Sequence, residues 1–242
     1  MFRPLAIILS SISIAPLFAA MPVDTSTQII VSVRDQRLML VRNGAKVAVY
    51  PVSTSMFGLG DAWGRMTTPL GYLAVEKKLG DNAPMGAVFH NRRLTGEILQ
   101  PNTPGRDPIT TRIIWLRGLE AKNAHAFQRG IYIHGTPQEK TIGRPASYGC
   151  IRMKSSDVVA LYQQVPLGAL VQIIPDRLPK PANIAKVQSE NAQAVAALLP
   201  QPREQIRLAA SSGTLTVEQM RMGGALAAER QRAKLAAGNK RL

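Results

Sequence analysis

Between residues 27 and 174 the apolar residues come in short runs, each closed by Gly-, Pro- or Asn-rich punctuation. That rhythm points to a mainly β domain, a sandwich or a barrel with helical additions. Residues 27–33 (TQIIVSV) and 37–41 (RLMLV) have strand composition, interrupted by the polar Asp35 and Gln36. Asn43-Gly44 is a hairpin signal, because both residues tolerate the positive φ of a tight two-residue turn. Residues 46–54 read as the returning strand, 56–66 as a Gly-rich loop, and 71–77 as another alternating strand. Residues 79–108, rich in Gly, Pro, Asn and Asp, read as one long loop. Residues 109–116 (ITTRIIWL), 130–134 (GIYIH) and 169–174 (ALVQII) complete the strands. Residues 155–164 (SSDVVALYQQ) predict a helix capped by Ser155 or Ser156, with Asp157 in its positive first turn.

The composition changes after Pro175, and Pro179-Lys180-Pro181 reads as a linker. Residues 184–199 place Ile184, Val187, Ala194, Val195 and Leu198 on one helical face, which Asn191 interrupts. A second helix is expected over 214–237, weakened by Gly223-Gly224. From residue 180 onward ten Lys or Arg stand against four Glu, ten minus four giving +6. Residues 176–242 therefore read as a basic helical or flexible tail, and 27–175 as the domain that carries any chemistry.

The first twenty residues have the three parts of an export signal. Arg3 supplies the charge, residues 5–18 are mostly apolar with Pro16 near the end, and the small Ala19 and Ala20 follow. The apolar run is shorter than the ~20 residues of a spanning helix. Residues 1–20 are thus expected to be a signal peptide and the protein to act in the periplasm or cell wall. The net charge of +15 suits an anionic partner. For an exported chain that partner is an anionic wall or membrane surface, reached through the basic tail, and not nucleic acid. The single cysteine, Cys150, cannot form an intramolecular disulfide, so it is either an inert buried side chain or a reactive thiol.

The chemistry concentrates in His134-Gly135-Thr136-Pro137 and Ser147-Tyr148-Gly149-Cys150-Ile151-Arg152. A thiol is a weak nucleophile until it loses its proton, and an imidazole can take that proton. His134 ends an expected strand and Cys150 precedes the expected helix, which brings both to one edge of a β core. Gly149 permits close backbone approach, and the N–H of Cys150, with that of Gly149, is a candidate oxyanion donor. Arg152 adds charge that favours the thiolate or binds a substrate carboxylate. Ser147 suits loop orientation by hydrogen bonding, and Tyr148 suits a pocket wall. His90 and His125 show no partner pattern. A lone Cys without ligand-pair spacing gives no zinc site, and no cofactor is expected.

The stretch Ser147-x-Gly149-Cys150-x-Arg152 following His134-Gly135 resembles the signature of the L,D-transpeptidase (YkuD-type) family. Thr68-Pro69-Leu70-Gly71, the helix from Asp157 to Tyr162 and the segment from Gly168 to Ile173 are also similar to family segments, so the resemblance covers roughly 27–175. It departs at Tyr148, where many members carry a second histidine. The resemblance implies a β-sandwich-like catalytic fold with a helix after the catalytic cysteine. It implies that Cys150 attacks the L-centre carbonyl of a peptidoglycan stem peptide and releases D-Ala. The thioester would then pass to an acceptor amine on a second stem or a wall-linked protein. It further implies that a backbone carbonyl orients His134, by position that of Gly135. Water as acceptor would make the enzyme an L,D-carboxypeptidase or endopeptidase. A non-catalytic basic wall-binding module is the remaining alternative, against which intact Cys150 and His134 argue.

Overall fold

The structure, a computed structural model, describes residues 22–199. The leader at 1–20 and the helix expected over 214–237 lie outside the described residues.

Strands β1 (Asp24–Ser32), β2 (Arg37–Arg42) and β3 (Ala45–Pro51) form an antiparallel meander. The β2–β3 turn is the expected one, with φ of 49° at Asn43 and 78° at Gly44. Strand β10 (Ala169–Ile174) lies parallel to β1, with Val31 opposite Ile173, and antiparallel to β4 (Gly71–Leu79). Strand β7 (Ile109–Gly118) follows β4 and carries the short β8 (Tyr132–Gly135) on its opposite edge. Strand β9 (Ile151–Met153) then pairs parallel with β8. Beyond β9, Ser53 and Arg152 exchange backbone hydrogen bonds at 3.0 and 2.9 Å. One sheet therefore rolls until β9 meets the segment leaving β3, which gives the expected mainly β fold.

The interior of that roll is aliphatic. Ile29, Val31, Leu38, Leu40, Leu73, Ile114, Ile133, Ile151 and Val171 are wholly buried in one cluster. Each such side chain contributes about 1.5–3 kcal/mol of burial. Helix α1 (Ser155–Gln164) adds Val158 and Leu161 to the same cluster.

Three local expectations are corrected. Residues 79–108 are not one loop: β5 (Ala87–His90) and β6 (Arg93–Ile98) form a hairpin there, turned at Asn91 and Arg92 with φ of 48° and 66°. Strand β6 is a mostly exposed edge strand, so no apolar alternation marks it in the sequence. Neither Ser155 nor Ser156 caps α1: the N-cap residue is Lys154, without a side-chain cap bond. Buried Ser155 instead bonds Thr111 through its hydroxyl at 2.9 Å, and its N–H donates to Glu139 Oε1 at 2.8 Å.

The third correction concerns α2 (Ile184–Leu198). Its inward stripe is Ile184, Gln188, Asn191 and Val195, spaced four, three and four apart, while Leu198 is exposed. Ile184 packs on Ile30, Met39 and Val41. Asn191 does not interrupt the buried face. It donates to Gln28 Oε1 at 3.1 Å and Gln172 Oε1 at 2.9 Å, and accepts from the Tyr72 hydroxyl at 3.1 Å. Gln188 likewise donates to the Thr25 and Ser26 carbonyls at 2.9 and 2.8 Å and accepts from the Gly44 N–H. The packed body thus runs on through α2, beyond the boundary drawn at 175. No helix of the described residues is long and apolar enough to cross a membrane.

Candidate active site

The parallel pair β8–β9 builds the site. Ile133, Ile151 and Met153 point into the aliphatic core, so pleating turns Tyr132, His134 and Arg152 to the other face. Register sets His134 abreast of Arg152, and Cys150 falls one pleat step earlier on that same face. Cys150 packs there beside Phe89, Ile113 and Tyr132.

The sulfur is held by backbone. Sγ accepts from the Tyr132 N–H at 3.4 Å and donates to the Gly130 carbonyl at 3.3 Å. Among the described residues no hydrogen bond joins Sγ to His134. Burial pushes the thiol up to about 11, against the Tyr132 N–H and the charges of Arg152 and Arg129, which pull it down. His134 is 5% exposed, and its Nδ1 lies 2.7 Å from the Gly135 carbonyl. A carbonyl only accepts, so Nδ1 carries the proton and Nε2 keeps a lone pair. Burial lowers this imidazole to about 4; the Gly135 bond opposes that fall. At neutral pH the resting pair is an uncharged thiol and an uncharged base.

The loop before Cys150 is fixed by three side-chain contacts. Ser147 Oγ donates to the Cys150 carbonyl at 2.5 Å and accepts from the Gly149 N–H at 3.2 Å. That second bond occupies the Gly149 N–H, so it is not a free oxyanion donor as expected. Thr68 Oγ1 donates to the Gly149 carbonyl at 2.9 Å. Gly149 has φ 119°, and a Cβ there would lie 3.2 Å from the Thr67 carbonyl oxygen. Glycine is thus required both for the φ and for the close approach. Among the described residues the Cys150 N–H has no hydrogen-bond partner, which leaves it available to a developing oxyanion.

Arg152 is 4% exposed and already holds an anion: Nη2 sits 2.5 Å from Asp107 Oδ2. The contact is an ion pair whose angles fall outside hydrogen-bond geometry, since Oδ2 makes no hydrogen bond. Its other oxygen accepts from the Thr136 hydroxyl at 2.5 Å. The resting Arg152 is therefore a buried structural cation, and a substrate carboxylate would have to compete with Asp107. Nothing local in the sequence marks Asp107, which ends a polar stretch 45 positions before Arg152. Tyr148 is 60% exposed; its ring lies 5.6 Å from that of Phe57, and the Arg152 guanidinium sits 5.4 Å from its centroid. An open hollow of about 520 Å³ adjoins it, with Phe57, Leu59 and Met66 on its wall. His90 is exposed and bonds Asn91, while His125 lies against Asp61 and Trp63.

A partly buried thiol and an oriented imidazole on one face of a rolled β-sheet fit the class of cysteine acyltransferases and hydrolases. A family profile described as the L,D-transpeptidase catalytic domain (YkuD) matches residues 26–173. A Bacillus subtilis protein named as L,D-transpeptidase YqjB is 30% identical over 64% of this chain and 75% of its own length. Salmonella typhimurium ErfK/SrfK, also named as an L,D-transpeptidase, is 32% identical over 66% of this chain. The chain spans about half of that relative, 48% of its length. The solved L,D-transpeptidase of Mycobacterium smegmatis is 16% identical over 62% of this chain and 58% of its own, with a TM-score of 0.41. The chain belongs to the L,D-transpeptidase catalytic domain family.

Proposed function

We propose that the protein is an exported peptidoglycan L,D-transpeptidase with Cys150 as nucleophile and His134 as its base. The observation that carries the reading is the tie of His134 Nδ1 to the Gly135 carbonyl, which frees Nε2 on the face that bears Cys150. Sγ turns from the Gly130 carbonyl and attacks the L-centre carbonyl of a stem peptide as Nε2 takes the thiol proton. The oxyanion meets the Cys150 N–H. The tetrahedral centre collapses, the C–N bond breaks, and the imidazolium returns the proton to the departing D-Ala amine. An acceptor amine, on a second stem or a wall-linked protein, then attacks the thioester. Nε2 takes its proton and passes it to the leaving Sγ, which restores the thiol. Ser147 orients the nucleophile loop, Tyr148 lines the approach, and Arg152 with Asp107 supports the floor of the site. The leader places this chemistry in the periplasm or cell wall, and the basic tail binds an anionic wall or membrane surface.

Intact-mass measurement tests the reading. The full chain incubated with a tetrapeptide stem should gain a thioester adduct that an added acceptor amine discharges as a new peptide. Cys150→Ala should give no adduct. His134→Ala should slow acylation by about 10²–10⁴-fold. No adduct on the folded parent, or discharge to water alone despite added amine, would overturn the transpeptidase reading.

A further inference from the structure

Two segments grip Cys150, and a buried ion pair joins them. The first runs through Gly130 and Tyr132, whose carbonyl and N–H hold Sγ. The second is the strap of residues 56–68, whose Thr68 hydroxyl holds the Gly149 carbonyl. That carbonyl and the Cys150 N–H belong to one planar trans peptide and point in opposite directions. Thr68 therefore sets the direction of the Cys150 N–H by holding the other end of its peptide. The strap is a loop: Leu59 and Thr68 form one bridge, the Met56 N–H donates to the Ser147 carbonyl at 3.1 Å, and Thr68 Oγ1 also accepts from the Ser55 N–H at 3.0 Å.

Arg129, next to Gly130 in the chain, reaches across to that strap. Its Nη1 donates to Asp61 Oδ1 at 2.6 Å and to the Gly60 carbonyl at 3.2 Å. Its Nη2 donates to the Arg65 and Thr67 carbonyls at 2.7 and 2.8 Å. The two side chains are 6% and 4% exposed, and Asp61 Oδ2 also accepts the His125 N–H at 2.6 Å. A planar fork with parallel donors is what this acceptor set demands, and an ammonium cannot reproduce it. Three backbone carbonyls gathered around one buried cation fix the strap against the segment that holds the sulfur.

We infer that Arg129 and Asp61 are positioning residues for acyl transfer, which hold the strap so that Thr68 aims the Cys150 N–H at the oxyanion. This rests on the nucleophile assignment above. It makes a specific separation. Acyl transfer passes through an oxyanion and needs that aim, whereas alkylation of the thiol forms no oxyanion and does not.

The experiment uses the full chain with Arg129→Lys and, as a charge-neutral second variant, Asp61→Asn with Arg129→Gln. Three rates are compared with the parent: stem-peptide acylation, acyl transfer from p-nitrophenyl acetate, and alkylation of Cys150 by iodoacetamide across pH. Thermal unfolding reports the folded fraction. Both acyl transfers should fall by about 10–100-fold, in kcat more than KM, toward the loss seen when an oxyanion donor is removed. Alkylation, compared at equal thiolate fraction, should stay within about twofold. Its pH profile should be unmoved in Arg129→Lys, which keeps the charge, and shifted upward in the double variant, which loses it. Acyl transfer that stays at the parent rate in either folded variant overturns the inference. So does a fall shared equally by alkylation, which would mean a structural role alone. A parent that reacts with the ester but never with the stem peptide refutes the substrate proposed above. The ester-to-alkylation ratio of the variants still decides this inference.

Discussion

Raising the pH on the substrate-free enzyme tests the resting state of the site directly. The partly buried thiol is pushed up to about 11 from its ordinary 9.0. At pH 7 its ionised fraction is then ~10⁻⁴, a hundredfold below that of an unperturbed thiol. A more basic thiolate is more nucleophilic, and a Brønsted slope of about 0.4–0.5 returns up to tenfold of this. Iodoacetamide should therefore alkylate Cys150 about tenfold more slowly than a free thiol at pH 7. The rate should climb close to tenfold per pH unit and show no plateau below pH 10. The signal is unambiguous because the chain has one cysteine. With the imidazole lowered to about 4 and the thiol raised to about 11, both by desolvation, the neutral pair is favoured over the ion pair at rest. Proton transfer must then accompany formation of the C–S bond, with the oxyanion contact supplying about 3–4 kcal/mol of the barrier reduction. A plateau at or below pH 8 would show a thiolate–imidazolium pair at rest and refute this account of activation.

Three further outcomes follow from burial. His134 is neutral in the fold and its folded value is lowered, so the unfolded chain binds more protons between about 4 and 6.5. Its contribution of roughly 3 kcal/mol should be complete above pH 6.5 and lost as pH falls through 4. Cys150 is raised, so it should cost stability of similar size as pH climbs from 9 to 11, and denaturant midpoints across pH check both arms. Asn191→Leu should strip Gln28, Gln172 and Tyr72 of a shared buried partner. The cost should be about 1–3 kcal/mol, a Tm fall of several degrees by calorimetry. Asp107→Asn should leave the buried Arg152 cation without its counter-ion and destabilise the fold by about 3–5 kcal/mol. An unchanged urea midpoint in that variant would mean the pair is not closed in solution.

The strands and the segments that carry Cys150 and His134 were legible because their signals are local. Alternation and turn residues fixed β1 to β4, and the Asn43-Gly44 hairpin appears with the expected signs of φ. Cys150, His134 and the Gly135 tie lie within one short stretch, and the family pattern spans them. The β5–β6 hairpin was missed because an exposed edge strand leaves no buried face to impose a period. Asn191 looked like a flaw because a stripe reading counts only apolar residues. Yet a buried amide is stabilising once Gln28, Gln172 and Tyr72 arrive from three other places in the chain. By itself the sequence determined a mainly β chain, its turn positions, and the family pattern that spans His134 and Cys150. Only the tertiary structure decided that Arg152 is held by Asp107, that the Gly149 N–H is taken by Ser147, and that thiol and imidazole rest uncharged. Those properties depend on desolvation and on partners distant in sequence, and neither exists until the sheet has rolled closed.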